Sequence, residues 1–219
     1  MKFRRRSNPS EASTGAEEQG EGLDTGSGAA DPAADPQVGP FDVDDLPDDG
    51  LERVDLGSLL ICPEEGRELR LQVDETTGEV QAVLVAGEDG AVELRAFAAP
   101  RHGDLWSDVR PQIAEDMLRQ GGEVTEREGP FGPELVCRIE VQLEDGTTAV
   151  QPSRIIGING SRWLLRATLL GRPAMDVEGS QDWEDTITRV AVRRGTGAMP
   201  VGDVLPVVLP ENAQRIDPA

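Results

Sequence analysis

The sequence predicts an α+β fold, with an antiparallel sheet of about six to seven strands and two helices packed on it. Several short runs alternate apolar and polar residues, as strands with one buried face do. Turn residues separate these runs, and Asn159-Gly160 is the clearest turn because both residues tolerate positive φ. Two other stretches carry apolar residues at helical spacing. The order of these elements would form a β-β-β-α pseudo-repeat.

The composition restricts the classes of partner. The chain has 219 residues, of which 42 are acidic and 21 are Lys or Arg, so its formal net charge is −21. This charge repels phosphate backbones and anionic lipid surfaces, and we expect no binding to nucleic acid or membranes. Basic proteins, cations and neutral ligands remain as partners. A simpler interpretation is that the acidity only keeps the protein soluble.

The sequence favours a cytoplasmic location. The basic start, residues 1–6, is followed by polar residues instead of the apolar segment of a signal peptide. No apolar run has the length of a membrane span. Cys62 and Cys137 lie in or beside apolar runs, and we expect them to be free thiols in a reducing compartment.

The first 50 residues differ in composition from the rest. Residues 1–50 are rich in Gly, Ala, Pro, Asp and Glu, which predicts a disordered acidic tail, followed by one domain over 51–212 and a flexible end over 213–219. Within the tail, Phe41 and Leu46 are apolar anchors in an acidic peptide that could dock on its own domain or on a partner. A solvated linker is the alternative. A calcium loop is excluded, because Leu46 and Pro47 stand where an oxygen ligand and a turn glycine are needed.

The first half of the domain predicts a meander of strands and then a helix. The predicted strands cover 56–62, 69–73, 80–85 and 92–98. The predicted helix covers 104–120, with Trp106 as a core anchor and Gly121-Gly122 as its stop. Pro111 is comfortable only in a first helical turn, so a later start or a kink is expected there.

The second half predicts a rigid loop over 129–133, strands over 135–143 and 148–158, and the Asn159-Gly160 hairpin. A tight turn would place Ile158 opposite Ser161 and Ile156 opposite Trp163. A second helix follows a joint that ends near Ser180, and after residue 192 a proline-punctuated arm is expected to form an edge strand or lie on the surface.

The two faces of the hairpin differ in character. One carries core residues: Ile156, Ile158, Trp163, Leu165, Ala167 and Leu169. The other carries Ile155, Gly157, Arg162, Leu164, Arg166 and Thr168. If helices cover only the first face, Ile155, Leu164, Arg162 and Arg166 would form an apolar, cationic surface for an acidic partner segment, or for the chain's own peptide around Phe41 and Leu46. Solvated arginines are the plainer alternative.

No motif for catalysis, a cofactor or a metal is evident. His102 is the only histidine, and its nearness in sequence to Asp104 and Ser107 does not establish a triad. One histidine and two separated cysteines do not suit a zinc site. The glycines near Gly157 lack the spacing of a phosphate loop. We therefore predict no catalytic residues, no cofactor and no metal.

Three separated segments carry a family resemblance. Residues 129–135, 157–172 and 199–205 together resemble an actinobacterial family of uncharacterised proteins known as a domain of unknown function. The resemblance covers about residues 40–212 and implies no catalytic residues. The order of strands and helices is also similar to the PsbP-like fold, which implies little about function.

The sequence therefore favours a non-enzymatic cytoplasmic binding or adaptor module. One alternative is a small-ligand binder with a pocket between the sheet and the helices. Another is an enzyme that uses carboxylates in a cleft. Converging carboxylates in a deep cleft would favour the enzyme, an apolar cavity the ligand binder, and a filled sheet with an apolar patch the adaptor. The oligomeric state is not predicted.

Overall fold

The computed structural model describes residues 38–74, 76–142 and 146–210. Its strands are β1 (Phe41–Asp42), β2 (Val54–Asp55), β3 (Leu59–Ile61), β4 (Glu68–Val73), β5 (Val80–Ala86), β6 (Gly90–Ala98), β7 (Glu123–Gly129), β8 (Gly132–Gln142), β9 (Thr148–Asn159), β10 (Trp163–Gly171) and β11 (Ala191–Val192). Its α-helices are α1 (Leu105–Arg119), the single turn α2 (Arg172–Met175) and α3 (Gln181–Thr188).

A seven-stranded antiparallel sheet confirms the predicted fold class. Its order is β4-β5-β6-β10-β9-β8-β7, so two meanders meet where β6 pairs with β10. A smaller four-stranded sheet has the order β1-β11-β3-β2, with β1 parallel to β11 and the other neighbours antiparallel. No helix in the described ranges is long and apolar enough to cross a membrane.

The first face of the large sheet, which carries Ile156 and Leu165, is covered by α3 and the small sheet. Trp183 and Ile187 of α3 pack there, and Leu59 and Val192 of the small sheet join the same buried cluster. Burying this much apolar surface is the main contribution to the stability of the domain.

The second face is covered by α1, over β7, β8 and β9. Leu105 and Trp106 pack there against Leu135, Ile155 and Leu164. The ring of Trp106 lies directly on Gly157, where a Cβ would overlap it. Pro111 is accommodated in the second turn of α1, and Asp104 caps the helix by accepting from the backbone N–H of Ser107 at 3.1 Å.

The strands that come before the two helices of the predicted pseudo-repeat, β6 and β10, pair with each other at the centre of the sheet. Arg95 of β6 lies directly opposite Arg166 of β10. The helices that follow the two halves lie on opposite faces, α1 on the second and α3 on the first. Any repeat is therefore confined to the strands. Among the described residues, α1 contacts β7, β8 and β9 and leaves the rest of the second face without a helix over it.

The predicted hairpin register is wrong by four residues. Ile158 lies opposite Leu165 instead of Ser161, and residues 160–162 form the loop. The N–H of Gly160 donates to the carbonyl of Trp163 at 2.8 Å, and the Trp163 ring packs so closely on Gly160 that a Cβ there would overlap it. Because the shift is an even number of residues, every side chain stays on its predicted face.

The segment 129–133, predicted as a rigid loop, is a tight turn between two strands. Gly129 of β7 pairs with Gly132 of β8, and only Pro130-Phe131 separates them. β7 was not predicted, because its sequence, Glu-Val-Thr-Glu-Arg-Glu-Gly, is a charged edge strand without apolar alternation.

Both ends of the domain are tied down by backbone pairing. Phe41 N–H donates to Val190 at 2.9 Å, so the compact unit begins before the predicted boundary at residue 50. The carboxyl-terminal arm bonds the end of β6 that extends beyond its pairing with β5. There the Leu205 N–H donates to the carbonyl of Ala96 at 2.8 Å. The predicted tail over 1–37 and flexible end over 213–219 lie outside the described residues.

Candidate functional site

The part of the second face that α1 leaves uncovered lies over β5, β6 and β10, and we call it the open half-face. Exposure alternates along β6, with each core-facing residue buried and each residue of the second face only half-buried. The open half-face consists of Leu84, Glu93, Arg95, Phe97, Arg166 and Thr168. It therefore combines apolar side chains with two arginines.

The two arginines share a single carboxylate. Arg95 Nε lies 2.9 Å from Glu93 Oε1, and Arg166 Nη2 lies 3.8 Å from the same oxygen. The Nε atoms of both arginines are buried, and neither makes a hydrogen bond of good geometry to the described residues, although Arg95 Nε lies beside the Glu93 carboxylate. Directly opposed like charges are unfavourable in a sheet, so this pair is under-neutralised.

Arg166 is the more strained of the two electrostatically. Burial lowers the pKa of its guanidinium below the ordinary value, and the charge of Arg95 lowers it further, while Glu93 partly offsets both. Its guanidinium carbon lies 5.4 Å from the centre of the Phe97 ring, which adds a cation–π contact. The Arg166 side chain thus lies near the Phe97 ring, and its Nε–H group makes no hydrogen bond to the described residues.

The carboxyl-terminal arm extends the apolar part of the open half-face. Val204 pairs with Phe97 as an antiparallel neighbour, so their side chains share a face. Val204 is 43% exposed, and Val201, three residues earlier in the arm, is 57% exposed. The result is an apolar margin beside a cationic centre.

The structure separates the residues predicted for the partner-binding surface. Ile155 and Leu164 are 4% and 2% exposed beneath α1, so the condition that helices cover only one face is not met and neither can contact a partner. Arg162 lies in the hairpin loop, away from the paired strands. Of the four hairpin candidates, only Arg166 belongs to the open half-face.

The peptide that contains Phe41 and Leu46 docks on its own domain. Asp42 Oδ2 accepts from Trp163 Nε1 at 3.1 Å and from Ser161 Oγ at 3.0 Å. Arg53 Nη2 contacts Asp49 Oδ2 at 2.6 Å and closes the segment at its other end. Phe41 and Leu46 are both half-buried. This segment does not reach the open half-face through any of these contacts.

Sequence reasoning missed Glu93, Arg95 and Phe97. The signal was present, because residues 92–98 alternate and the apolar set Val92, Leu94, Ala96 and Ala98 leaves the other three on the second face. Arg95 and Arg166 lie in two strands that are far apart in the sequence. That these two residues face each other depends on pairing between distant strands, which no local pattern predicts.

One cluster of carboxylates, built around Arg154, is buried inside the domain. Arg154 is fully buried and donates to Glu134 Oε1 at 2.7 Å, to Glu184 Oε1 at 2.5 Å and to Ser180 Oγ at 2.8 Å. Burial alone would lower the pKa of Arg154, but the hydrogen bonds to Glu134 and Glu184 outweigh it and raise the pKa. Arg127 Nε reaches the same Glu134 oxygen at 2.5 Å. This network joins β8, β9 and α3 with no room for a substrate.

The other reactive groups are equally unsuited to catalysis. Asp104 bonds Ser107 and Asn159, and no hydrogen bond joins it to His102. Burial raises the pKa of the Cys62 and Cys137 thiols, which disfavours the nucleophilic thiolate. Across the described ranges, no group of three or more His, Cys, Asp or Glu residues is arranged to hold a metal ion.

One comparison with known proteins decides the family. The model of a family described as protein of unknown function (DUF3710) matches residues 39–215. The chain belongs to this family. The match begins two residues before β1, in agreement with a compact unit that includes the docked segment around Phe41. A search of curated proteins finds no match. The predicted likeness to the PsbP-like fold stays a prediction.

Proposed function

We propose that this DUF3710 domain is a non-enzymatic binding module whose open half-face receives an acidic, partly apolar segment of a partner protein. The observation that carries the proposal is the opposed pair Arg95 and Arg166 with only Glu93 between them. A partner carboxylate placed over the pair would accept from guanidinium N–H groups of these partly exposed side chains and relieve their repulsion. Phe97 and Val204 would receive its apolar residues.

The electrostatics favour an acidic partner in spite of the acidic chain. A net charge of −21 repels acidic proteins at long range, which slows encounter and suppresses unspecific binding. A segment that still binds must match the local cationic pair closely. Specificity of this kind comes from combining one attractive site with a repulsive surface.

The alternative functions have less support. Trp183, Ile187 and Leu165 fill the space between the sheet and α3, where a small-ligand pocket was considered. The carboxylates Glu134 and Glu184 are buried against Arg154, where an enzyme would need them open to a substrate. We also propose a cytoplasmic location, which suits two buried free cysteines, Cys62 and Cys137.

The proposal is tested by comparing partner capture by three forms of the full chain. Arg95→Glu/Arg166→Glu reverses the charge of the open half-face, and Arg138→Glu is the matched control on an exposed arginine of β8. We expect the partners recovered from extracts of the producing cells to fall at least tenfold for the double variant, about 1.4 kcal/mol or more. The control should recover the same partners as the unaltered chain.

Folding is checked by circular dichroism, and Arg166→Met serves as a milder variant if the double variant unfolds. It removes the charge and keeps an apolar stem of similar length. Equal recovery by the unaltered chain and by a folded open-half-face variant would refute the proposed binding surface.

A further inference from the structure

A second cationic site lies at the tip of the β9–β10 hairpin, apart from the open half-face. Arg101, His102, Ser161 and Arg162 line a surface depression of about 270 Å³. Two loops form it, and a hydrogen bond from Ala99 N–H to the Arg162 carbonyl at 2.9 Å holds them together. The depression is therefore part of the rigid end of the sheet.

Its arginines are unpaired, unlike most in this protein. Arg101 and Arg162 have no carboxylate within ion-pair distance among the described residues, whereas eleven other described arginines have one within 3.3 Å: Arg53, Arg67, Arg70, Arg95, Arg110, Arg119, Arg127, Arg154, Arg172, Arg189 and Arg193. In a chain with 42 acidic residues, two arginines of one depression that lack an ion-pair partner among the described residues can attract an external anion.

Two carboxylates beside the depression bind donors other than its arginines, although one of those donors, Ser161, is itself a lining residue. Asp42 accepts from Ser161 and from Trp163 Nε1, and Asp104 accepts from Ser107 and Asn159. Hydrogen bonds to Ser107 hold the pKa of Asp104 below its ordinary value, so it stays bound to those donors. Neither carboxylate pairs with the cations of the depression.

The backbone at His102 supports a dedicated geometry. Its φ is 58°, which makes it the one residue other than glycine in the left-handed region within the described ranges. A side chain in this region is uncommon and is held only when the surrounding structure requires it. Here His102 lines the same depression as Arg101 and Arg162.

We propose that this depression, the hairpin-tip site, binds the phosphate group of a small phosphate monoester. Arg101 and Arg162 would donate paired N–H groups to phosphate oxygens, which guanidinium groups match better than ammonium groups do. His102 would add a third donor. The volume of about 270 Å³ accepts a phosphate with a few further atoms and is small for a nucleotide.

The test is a titration of the full chain followed by NMR of backbone amides and arginine Nε–H groups. The probes are inorganic phosphate and glycerol phosphate, each added up to about 10 mM at constant ionic strength. We expect saturable shifts at Arg101, His102 and Arg162, with a dissociation constant in or below the millimolar range. Tighter binding of glycerol phosphate than of inorganic phosphate would assign part of the affinity to the ester.

Arg101→Gln and Arg162→Gln should each weaken binding about tenfold, the loss expected for a charge-assisted contact. Arg138→Gln, on an exposed and unpaired arginine of β8, should leave it unchanged. Failure of both probes to give saturable shifts, or equal weakening by the control, would overturn the hairpin-tip site. Neither result bears on the open half-face, which contains none of these residues.

Discussion

Arg154 is the residue on which the contact between the sheet and α3 depends. It is 0% exposed, and a buried charge is tolerated only when its partners compensate for the lost hydration. Glu134 of β8, Glu184 of α3 and Ser180, the residue just before α3, supply those partners. Glu134 Oε2 has no partner in the described chain, and a Cβ at Gly129 would overlap that carboxylate, so the network is sterically enclosed.

Replacing Arg154 by Met should destabilise the domain by about 3–5 kcal/mol, because Glu184 would be left buried without a cation and Glu134 would keep only Arg127. Urea unfolding followed by tryptophan fluorescence measures this change. Adding Glu134→Gln and Glu184→Gln to the same chain should recover part of the loss. A single-variant loss below about 1 kcal/mol would show that the network is not a closed ion cluster.

Arg166 shows the opposite balance. The pKa of its guanidinium is lowered by burial and by Arg95, so the folded chain holds this proton less tightly than the unfolded chain does. For a base whose folded pKa is lowered, the penalty is fully present at every pH below that pKa and is relieved only as the pH rises through it. Near neutral pH the penalty is therefore constant, and only substitution removes it.

Arg166→Met should leave the isolated domain as stable as before, or more stable by about 0.5–1 kcal/mol, while partner capture falls. Thermal unfolding at two ionic strengths measures the first effect, since salt should narrow the difference by screening the arginine repulsion. A clear loss of stability would mean that Arg166 is a structural residue and that the open half-face is only surface.

At the scale of elements, the docked segment around Phe41 shows how little local sequence is needed to hold an acidic peptide. β1 has two residues, yet Asp42 bonds the hairpin loop and Asp49 bonds Arg53. The composition of this segment predicted a solvated linker as the alternative to docking. Composition reveals the five aspartates of residues 41–50 but not the distant side chains that donate hydrogen bonds to one of them. The donors Ser161 and Trp163 are more than 100 residues away along the chain.

The contact between Arg53 and Asp49 can be followed through the titration of Asp49. The hydrogen bond from Arg53 is the main cause that lowers the pKa of Asp49 from 3.8 to about 2. A carboxylate with a lowered folded pKa stabilises the fold above its unfolded value, and that contribution is lost as the pH falls through about 2. Carboxyl NMR should find Asp49 still ionised at pH 3, and Arg53→Gln should return its pKa towards 3.8. An ordinary pKa in the unaltered chain would contradict the contact.

The hairpin and β7 show where local patterns stop being informative. For the paired residues of the hairpin, the predicted face is correct, because a register shift of an even number of residues leaves each side chain on the same face. The loop length was wrong because the Trp163 ring packs on Gly160 and Asn159 bonds Asp104, both of which are tertiary contacts. β7 was missed because an edge strand that borders solvent needs no apolar alternation.

At the scale of the molecule, unequal covering of one sheet creates the candidate site. The first face is closed by α3 and the small sheet, and the second is covered by α1 over β7 to β9. Sequence reasoning placed Arg166 on the face to which the open half-face belongs, and its role in partner binding stays a prediction. It proposed Ile155 and Leu164 for the same surface on the condition that helices cover only the other face, whereas α1 covers both residues. The side on which a helix packs depends on the whole core, so no single segment predicts it.

The measurement that tests the central claim most directly follows the arginine Nε–H signals of the full chain while a captured partner is added. The signals of Arg95 and Arg166 should shift together and saturate at one equivalent, because a partner carboxylate would bring a negative charge beside both guanidinium groups. The signal of Arg138, exposed on β8, should stay in place. A partner that binds and shifts neither Arg95 nor Arg166 would contradict the account.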